Sequence, residues 1–290
     1  MIAFNGKTEW HQTKDSNTLR ILTWNVQSFR GLFPQSSPYA KTRIGILNTI
    51  NEYKPDVLCL QEYKNTENGK RDVSVRRELD SLGYHYFYCS NDDVRYVRTT
   101  VHTSGVAIYS KLPLLDTGRI EINPETKKEH VIYADVVFNN KKVRLFTAHL
   151  NSFYLYPDTI KASDAGEDIF RKTYHRKRVI QYKLRETEVD HNKEVAEIRP
   201  LINESPFPTV YCGDINTTPA SYNYHTLKGD NMQDAFLAKG SGLGRTFYQI
   251  SPTLRIDVCL VSKQFDVQQA QVIERKLSDH YPVIADVKWK

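Results

Sequence analysis

Short apolar runs recur along the whole chain, separated by polar turns. Leu19 to Asn25, Asp56 to Glu62, Gly105 to Ser110, Val131 to Phe138, Lys142 to Leu150, Pro208 to Asp214, Leu254 to Val261 and Tyr281 to Trp289 all have the β-branched, aliphatic and aromatic make-up of strands. Helical spacing appears between some of them. Arg43 to Tyr53 sets Ile44, Leu47 and Ile50 on one face and stops ahead of Pro55. Val73 to Leu82 predicts a second helix, with Gly83 as its C-cap. Glu186 to Asn203 spaces Val189, Val195, Ile198 and Ile202 as a third, which Pro200 is expected to end or kink near Arg199.

The connections decide between architectures. Lys111-Leu112-Pro113 reads as a tight connection, and Asn139-Asn140 as a hairpin turn between Phe138 and Lys141. Direct hairpins argue against an all-parallel, doubly wound sheet. The pattern predicts an α/β fold of two packed sheets with helices outside. No Gly/Ser-rich linker and no short repeat divides the 290 residues, so one domain is expected from residue 19 to 290. Residues 1–18 read as a polar lead-in or tether without the apolar core of a secretory signal. No apolar run approaches the roughly 18 residues of a membrane helix, so the chain as given reads as soluble.

Composition changes this picture little. With 40% apolar and 26% charged residues the chain has the make-up of a globular protein. A net charge of +6 suits an anionic substrate without identifying nucleic acid. The four cysteines lack C-x-x-C spacing and lie in or at the end of apolar runs, so buried thiols are expected and a zinc site is disfavoured. Nothing resembles a phosphate-binding Gly-rich loop or a dinucleotide fingerprint, which disfavours a nucleotide cofactor.

The informative residues are those that end the strands. Asn25 closes the first run and Gln61-Glu62 the second, His149-Leu150-Asn151 follows a middle strand, and Gly213-Asp214-Ile215-Asn216 a later one. Asp257 lies in Arg255-Ile256-Asp257-Val258, and Ser278-Asp279-His280 precedes the last strand. Strand ends are where a rigid scaffold presents chemistry. Attack on a phosphodiester drives anion toward anion, so charge must be neutralised and the nucleophile positioned. Oxygen donors such as Asn25, Glu62 and Asp257 suit a hard ion. His149 and His280 can stabilise charge or carry protons, Asp214 can orient or deprotonate water, and Asn216 can hold a phosphate oxygen. Each residue also has a plainer reading: a lone Asn or Asp at a strand end is usually a turn or cap, and a carboxylate inside an apolar run a satisfied structural group.

Taken in order, Thr23-Trp24-Asn25, Leu60-Gln61-Glu62, Ser104 to Ser110, Ala148-His149-Leu150, Gly213-Asp214-Ile215-Asn216, Arg255-Ile256-Asp257 and Leu277 to Val283 resemble the endonuclease/exonuclease/phosphatase superfamily, from about Leu19 to Trp289. The resemblance implies a deoxyribonuclease I-like fold, a four-layer sandwich with its site at one edge, and makes 19–290 its catalytic domain. By motif, Glu62 is implied as the main Mg²⁺ ligand with Asn25 beside it, and Asp257 and Asp279 as supports of metal or histidine. Asp214 aligns the attacking water, Asn216 and His149 contact the scissile phosphate, and His280 stabilises developing charge. Mn²⁺ is the other cation expected. Ile215 and Val258 depart from the residues frequent in relatives, as packing changes. The His149-Leu150 step resembles sphingomyelinase-, deadenylase- and tyrosyl-DNA phosphodiesterase-like branches, and the C-terminal third a Bacteroidetes subgroup often tethered by membrane helices. Such a tether would make residues 1–18 its remnant and place the domain on the water-facing side of a membrane.

Substrate clues are thinner. Between Asn151 and Glu188, the aromatics Phe153, Tyr154 and Tyr156 precede a cluster including Arg171, Lys172, Arg176, Lys177, Arg178, Lys183 and Arg185. Asn151, Arg176 and Arg178 are the candidate substrate-binding residues, tracking a phosphate backbone; a solvated basic helix or an anionic membrane surface are the other readings. Arg95 and Arg98 read as a surface-loop lip. The expectation is a monomeric Mg²⁺-dependent phosphodiesterase, with nuclease action first and lipid-headgroup or inositol phosphate hydrolysis as the alternative. The rival from another class, a catalytically dead binding module, is opposed by a complete set of site positions.

Overall fold

The computed structural model describes residues 2–5, 10–32, 36–68, 73–122, 129–152, 169–249 and 253–290, with the backbone alone at 4, 39, 129 and 169–184. In chain order the strands and helices are β1 (Ala3–Phe4), β2 (Leu19–Asn25), α1 (Lys41–Tyr53), β3 (Val57–Glu67), α2 (Val75–Ser81), β4 (Tyr86–Cys89), β5 (Asp93–Val97), β6 (Thr100–Ser110) and β7 (Leu114–Ile122). They continue with β8 (Glu129–Phe138), β9 (Lys141–His149), α3 (Ile169–Asn203), β10 (Thr209–Asp214), α4 (Tyr222–Lys228), β11 (Met232–Asp234), α5 (Ala235–Lys239), β12 (Ser241–Gly242), β13 (Asp257–Ser262), β14 (Phe265–Val272) and β15 (Val283–Trp289).

Two mixed sheets pack face to face. The first runs β14-β15-β2-β3-β6-β4 with β5 added to β6, and the second runs β11-β13-β10-β9-β8-β7. Each has a parallel pair at its centre, β2 with β3 and β9 with β10, flanked by antiparallel strands. Alternation along the strands sends one set of side chains between the sheets and the other outward. Cys59, Ile108, Leu145, Cys212, Val261 and Ala285 meet in the inter-sheet core. Outside the first sheet, Trp24, Leu60 and Tyr109 pack with Ile46 and Ile50 of α1 and Leu79 of α2. Outside the second, Phe146, Tyr211 and Leu260 pack with Ile198 of α3 and Leu227 of α4. Each such aliphatic side chain taken wholly out of water contributes roughly 1.5–3 kcal/mol. The result is the expected four-layer α/β sandwich. Ile215 and Val258, the two departures from family habit, are both buried outside the second sheet. All four cysteines are free thiols, three of them buried.

Several elements differ from the sequence reading. Asn139 and Asn140 make the expected two-residue turn, both at positive φ. Lys111-Leu112-Pro113 instead carries the chain from one sheet to the other, from β6 to β7. The Arg95 region is strand β5, paired to β6, although all five of its positions are exposed. Helix α3 begins at Ile169 and runs through Pro200 to Asn203 rather than ending near Arg199. Pro200 sits on the exposed face close to the C-terminus, where the bond it cannot donate is replaced by water. Within residues 1–18, β1 pairs with β12 and Trp10 packs on Tyr53, so the described part of the lead-in lies docked on the body. Among the described residues no helix is long and apolar enough to cross a membrane.

Candidate active site

Both parallel pairs point their C-terminal ends toward the same mouth of the sandwich. β2 and β3 deliver Asn25 and Glu62; β9 and β10 deliver His149 and Asp214. In each sheet the antiparallel neighbour begins where these strands finish. Asp257, the first residue of β13, stands opposite Asp214, and Asp279-His280 precede β15. Glu62 lies at a break in register between β3 and β6 and adopts φ +48°. A bulge of this kind re-aims one side chain out of the strand alternation. Asn216, just past β10, has φ +47°. Left-handed backbone at two non-glycine positions is strain of the kind held at functional sites.

One hydrogen-bond network joins the sheets. Asn25 Nδ2 donates to Glu62 Oε1 (3.0 Å) and to Asp214 Oδ2 (3.1 Å). His280 Nδ1 donates to Asp257 Oδ2 at 2.9 Å, which turns Nε2 toward Asp214 Oδ2 at 3.6 Å. The other Asp214 oxygen accepts from the Asn216 N–H at 2.9 Å. Asn216 Nδ2 donates to the Leu150 carbonyl (2.8 Å) and lies 3.1 Å from His149 Nε2. Because that nitrogen must be a donor to Leu150, His149 Nε2 is the acceptor there. The same nitrogen lies 3.6 Å from Asp214 Oδ2.

His280 is held charged by the acids around it. Burial pulls the His280 pKa down, but Asp257 and Asp214 outweigh it and push the imidazole up to about 10. Asp214 is pushed up to about 6 by its own burial and by Asp257, with the histidines opposing. Asp279 is also raised, first by burial; His280 opposes, and the charge of Glu62 adds to the rise.

Several further residues support the site. Ser278 Oγ donates to the Asn25 carbonyl (2.7 Å), and Trp24 Nε1 to the His280 carbonyl (2.9 Å), tying the segment before β15 to β2. Gln27 Nε2 donates to Asp279 Oδ2 at 2.9 Å. Thr246 Oγ1 accepts from the Ile256 and Asp257 N–H groups, fixing the start of β13. Gln61 Nε2 reaches Thr147 Oγ1 across the sandwich at 2.9 Å. Trp24, Gln61 and Ser278 lie within the motifs read from the sequence, whereas Gln27 and Thr246 carry no such signal.

Asn25, Glu62, His149, Asp214, Asn216, Asp257, Asp279 and His280 thus converge. Asn151 lies beside them, but its side-chain amide donates to Asp190 Oδ2 of α3 at 3.1 Å. Arg176 and Arg178 fall on α3 with side chains outside the described residues.

Two places could receive a cation. Asp214, Asp257 and His280 bring ligand-type atoms within 4.8 Å of one another. There, however, His280 spends one N–H on Asp257 and is held protonated, so it has no lone pair to give. Glu62, Asp279 and the Asn25 side-chain oxygen Oδ1 are the better donor set. All are hard oxygen donors, and among the described contacts Glu62 and Asp279 are hydrogen-bonded only by amides and a hydroxyl. Two such carboxylates repelling each other fit a divalent cation between them.

A sandwich of two mixed sheets, with acids, amides and histidines gathered at one edge, defines a deoxyribonuclease I-like protein of the phosphoester-hydrolase type. The chain belongs to the Endonuclease/Exonuclease/phosphatase family, whose profile matches residues 22–280. Members of that family are hydrolytic nucleases or phosphatases and generally use divalent metals. A DNA-(apurinic or apyrimidinic site) endonuclease from Dictyostelium discoideum is 22% identical over 223 residues, 77% of this chain and 48% of the relative. The chain thus spans about half the length of that curated relative. An endonuclease/exonuclease/phosphatase structure from Beutenbergia cavernae superposes with TM-score 0.64 at 20% identity, covering 94% of this chain and 72% of that one. D. rerio TDP2 complexed with single-strand DNA product gives TM-score 0.61 at 16% identity, covering 93% and 99%.

Proposed function

We propose that the chain is a divalent-cation-dependent phosphodiesterase that cleaves nucleic-acid strands by in-line attack of water. The observation that carries this reading is the Asp257–His280–Asp214 chain set beside the oxygen donors Asn25, Glu62 and Asp279. A carboxylate raised to about 6 is a general base at neutral pH, so Asp214 takes the proton of the attacking water. His280, kept charged by Asp257, donates toward the phosphate as negative charge grows. Asn216 would hold a phosphate oxygen through the Nδ2 hydrogen that otherwise meets His149 Nε2, with the His149 ring beside it. A Mg²⁺ or Mn²⁺ held by Glu62, Asp279 and Asn25 would neutralise phosphate charge. Nucleic acid as substrate is supported by the two DNA-directed relatives and by the chain's net charge of +6.

The test is a substrate panel under Mg²⁺ and under Mn²⁺: single-stranded and duplex DNA, RNA, sphingomyelin and inositol phosphates, with Asp214→Ala as control. Cleavage of a polynucleotide, lost in chelator and in the variant, is expected. Preferential turnover of sphingomyelin or inositol phosphates would move the assignment to a lipid-headgroup or inositol phosphate phosphoesterase. No metal-dependent turnover of any substrate would leave a binding module of the same fold.

A further inference from the structure

Helix α3 grips the chain just after His149. It takes both backbone groups of Asn151 and its side-chain amide nitrogen. The N–H donates to the two Glu194 carboxylate oxygens at 3.3 and 3.2 Å, the carbonyl accepts from His191 Nε2 at 2.6 Å, and Nδ2 donates to Asp190. Asp190 and Glu194 are one helical turn apart, on one face. Glu194 is 1% exposed and His191 fully buried. A carboxylate buried this deeply costs solvation free energy that an apolar side chain would not, so packing alone does not account for it. Further up the helix, Glu188 accepts from Thr217 Oγ1 (3.4 Å) and Asn223 Nδ2 (2.9 Å), holding the loop after Asp214 as well.

The consequence lies in one peptide plane. The Asn151 N–H and the Leu150 carbonyl belong to the same planar unit and point to opposite sides of it. Glu194 holds the first, and Asn216 Nδ2 donates to the second. Any rotation of that plane displaces Asn216, and with it the bond to His149 Nε2. We propose that Glu194, with His191 and Asp190, is a positioning residue: by clamping the Leu150–Asn151 peptide from α3 it sets the alignment of Asn216 and His149. Asn151 is then the handle of the clamp and not a contact to substrate. Only the kinetic reading below rests on the phosphodiesterase proposal.

The experiment compares Glu194→Ala, which removes the acceptor, with Glu194→Gln, which keeps one oxygen for the Asn151 N–H. Imidazole ¹⁵N spectra of the metal-free protein read His149 directly, without any turnover. The His149 ring signals should move in Glu194→Ala and hold in Glu194→Gln. Val287→Ala, a truncation in the inter-sheet core at the end of β15 that pairs with Leu19, away from the site, controls for general destabilisation and should leave them in place. Under steady-state turnover Glu194→Ala should lose about 10- to 100-fold in kcat with KM within about twofold, and Glu194→Gln should recover most of it. Should Glu194→Ala fail to fold, Glu194→Asp, which shortens the reach, takes its place with the same readings. Unmoved His149 signals in the folded variant would overturn the clamp, as would Glu194→Gln shifting as far as Glu194→Ala. If no substrate is turned over by the wild type, the functional proposal falls and the spectra still decide the clamp.

Discussion

The two sheets repeat one plan: antiparallel, antiparallel, parallel, antiparallel, antiparallel, read across either of them. Each sends three equivalent strand ends to the mouth. Asn25 of one matches Asp214 of the other, Glu62 matches His149, and Asp279-His280 match Asp257. The backbone plan is shared and the chemistry is not. The second sheet's acids, Asp214 and Asp257, both face His280, which crosses over from the first. The first sheet's acids, Glu62 and Asp279, are hydrogen-bonded among the described residues by amides and a hydroxyl. Under the proposed function one scaffold operation, a pair of parallel strands ending together, serves once for proton handling and once for cation holding.

The largest expected effect breaks the proton-handling half. Asp214→Ala and His280→Ala should each lower kcat by about 10³-fold or more, while Mg²⁺ affinity, measured by titration calorimetry, changes little in His280→Ala. The two groups titrate as a pair, with turnover rising near pH 6 as Asp214 ionises and falling near pH 10 as His280 loses its proton. The stability signs are opposite. The His280 contribution is full below the unfolded value of 6.5 and is lost as pH rises through about 10. Asp214, whose pKa moves from 3.8 to about 6, costs stability once pH passes that window. Asp214→Asn should therefore be inactive yet more heat-resistant than wild type at pH 8, with the gain gone below pH 4. An equal gain at both pH values would reject the assignment.

Next comes the cation-holding half. Glu62→Gln keeps the size and the hydrogen bond from Asn25 but removes a charge. Cation affinity should fall about 10- to 100-fold, a loss of the size seen when metal-site residues are altered. Saturating Mg²⁺ should restore much of the rate, as it should not for Asp214→Ala. Equal rescue of both variants would show that the halves are not separable in this way.

That division was only partly visible in the sequence. The strands were legible because their apolar runs are two-sided and buried, and their polar last residues stood out against them. The converse explains the misses. β5 has no buried face, so its exposed Asp93–Val97 run looked like loop. Pro200 looked like a helix end because spacing does not reveal which face meets water. Gln27, Thr246 and Glu194 act through hydrogen bonds to residues distant in sequence, and no local pattern announces such a bond. Asn151 was legible as a polar residue beside His149, but the direction of its amide was not.

Two glycines sharpen the comparison at smaller scale. In the second sheet a Cβ on Gly213 would stand 2.4 Å from the Ala148 carbonyl oxygen, a backbone atom of the parallel partner strand. In the first-sheet half, a Cβ on Gly45 of α1 would meet Leu277 Cδ2 at 2.5 Å, the movable tip of a side chain. Gly213→Ala must part β9 from β10 and should cost roughly 2–3 kcal/mol in urea unfolding, with His149 and Asp214 displaced. Gly45→Ala should cost less than Gly213→Ala and leave turnover within about threefold.

The smallest effect tests how the outer helix serves the second sheet. Pro200 cannot donate to the Ala196 carbonyl, yet α3 continues, and the Glu204 N–H returns to the Pro200 carbonyl at 2.8 Å. Ile198 and Ile202 bury the opposite face and hold the last turns in place whatever residue 200 is. Pro200→Ala restores the missing donor. In a helix interior that exchange is worth about 3 kcal/mol. Here water already serves the exposed Ala196 carbonyl, and the proline also restricts the unfolded chain by about 0.4–1 kcal/mol. A net gain of about 1 kcal/mol is expected, a rise of roughly 2–4 °C in Tm. Turnover should not change, because Glu194 lies more than a turn toward the N-terminus of Pro200 and its grip on Asn151 does not pass through it. A loss of kcat in a more stable Pro200→Ala protein would mean that the proline sets the path by which α3 reaches the site.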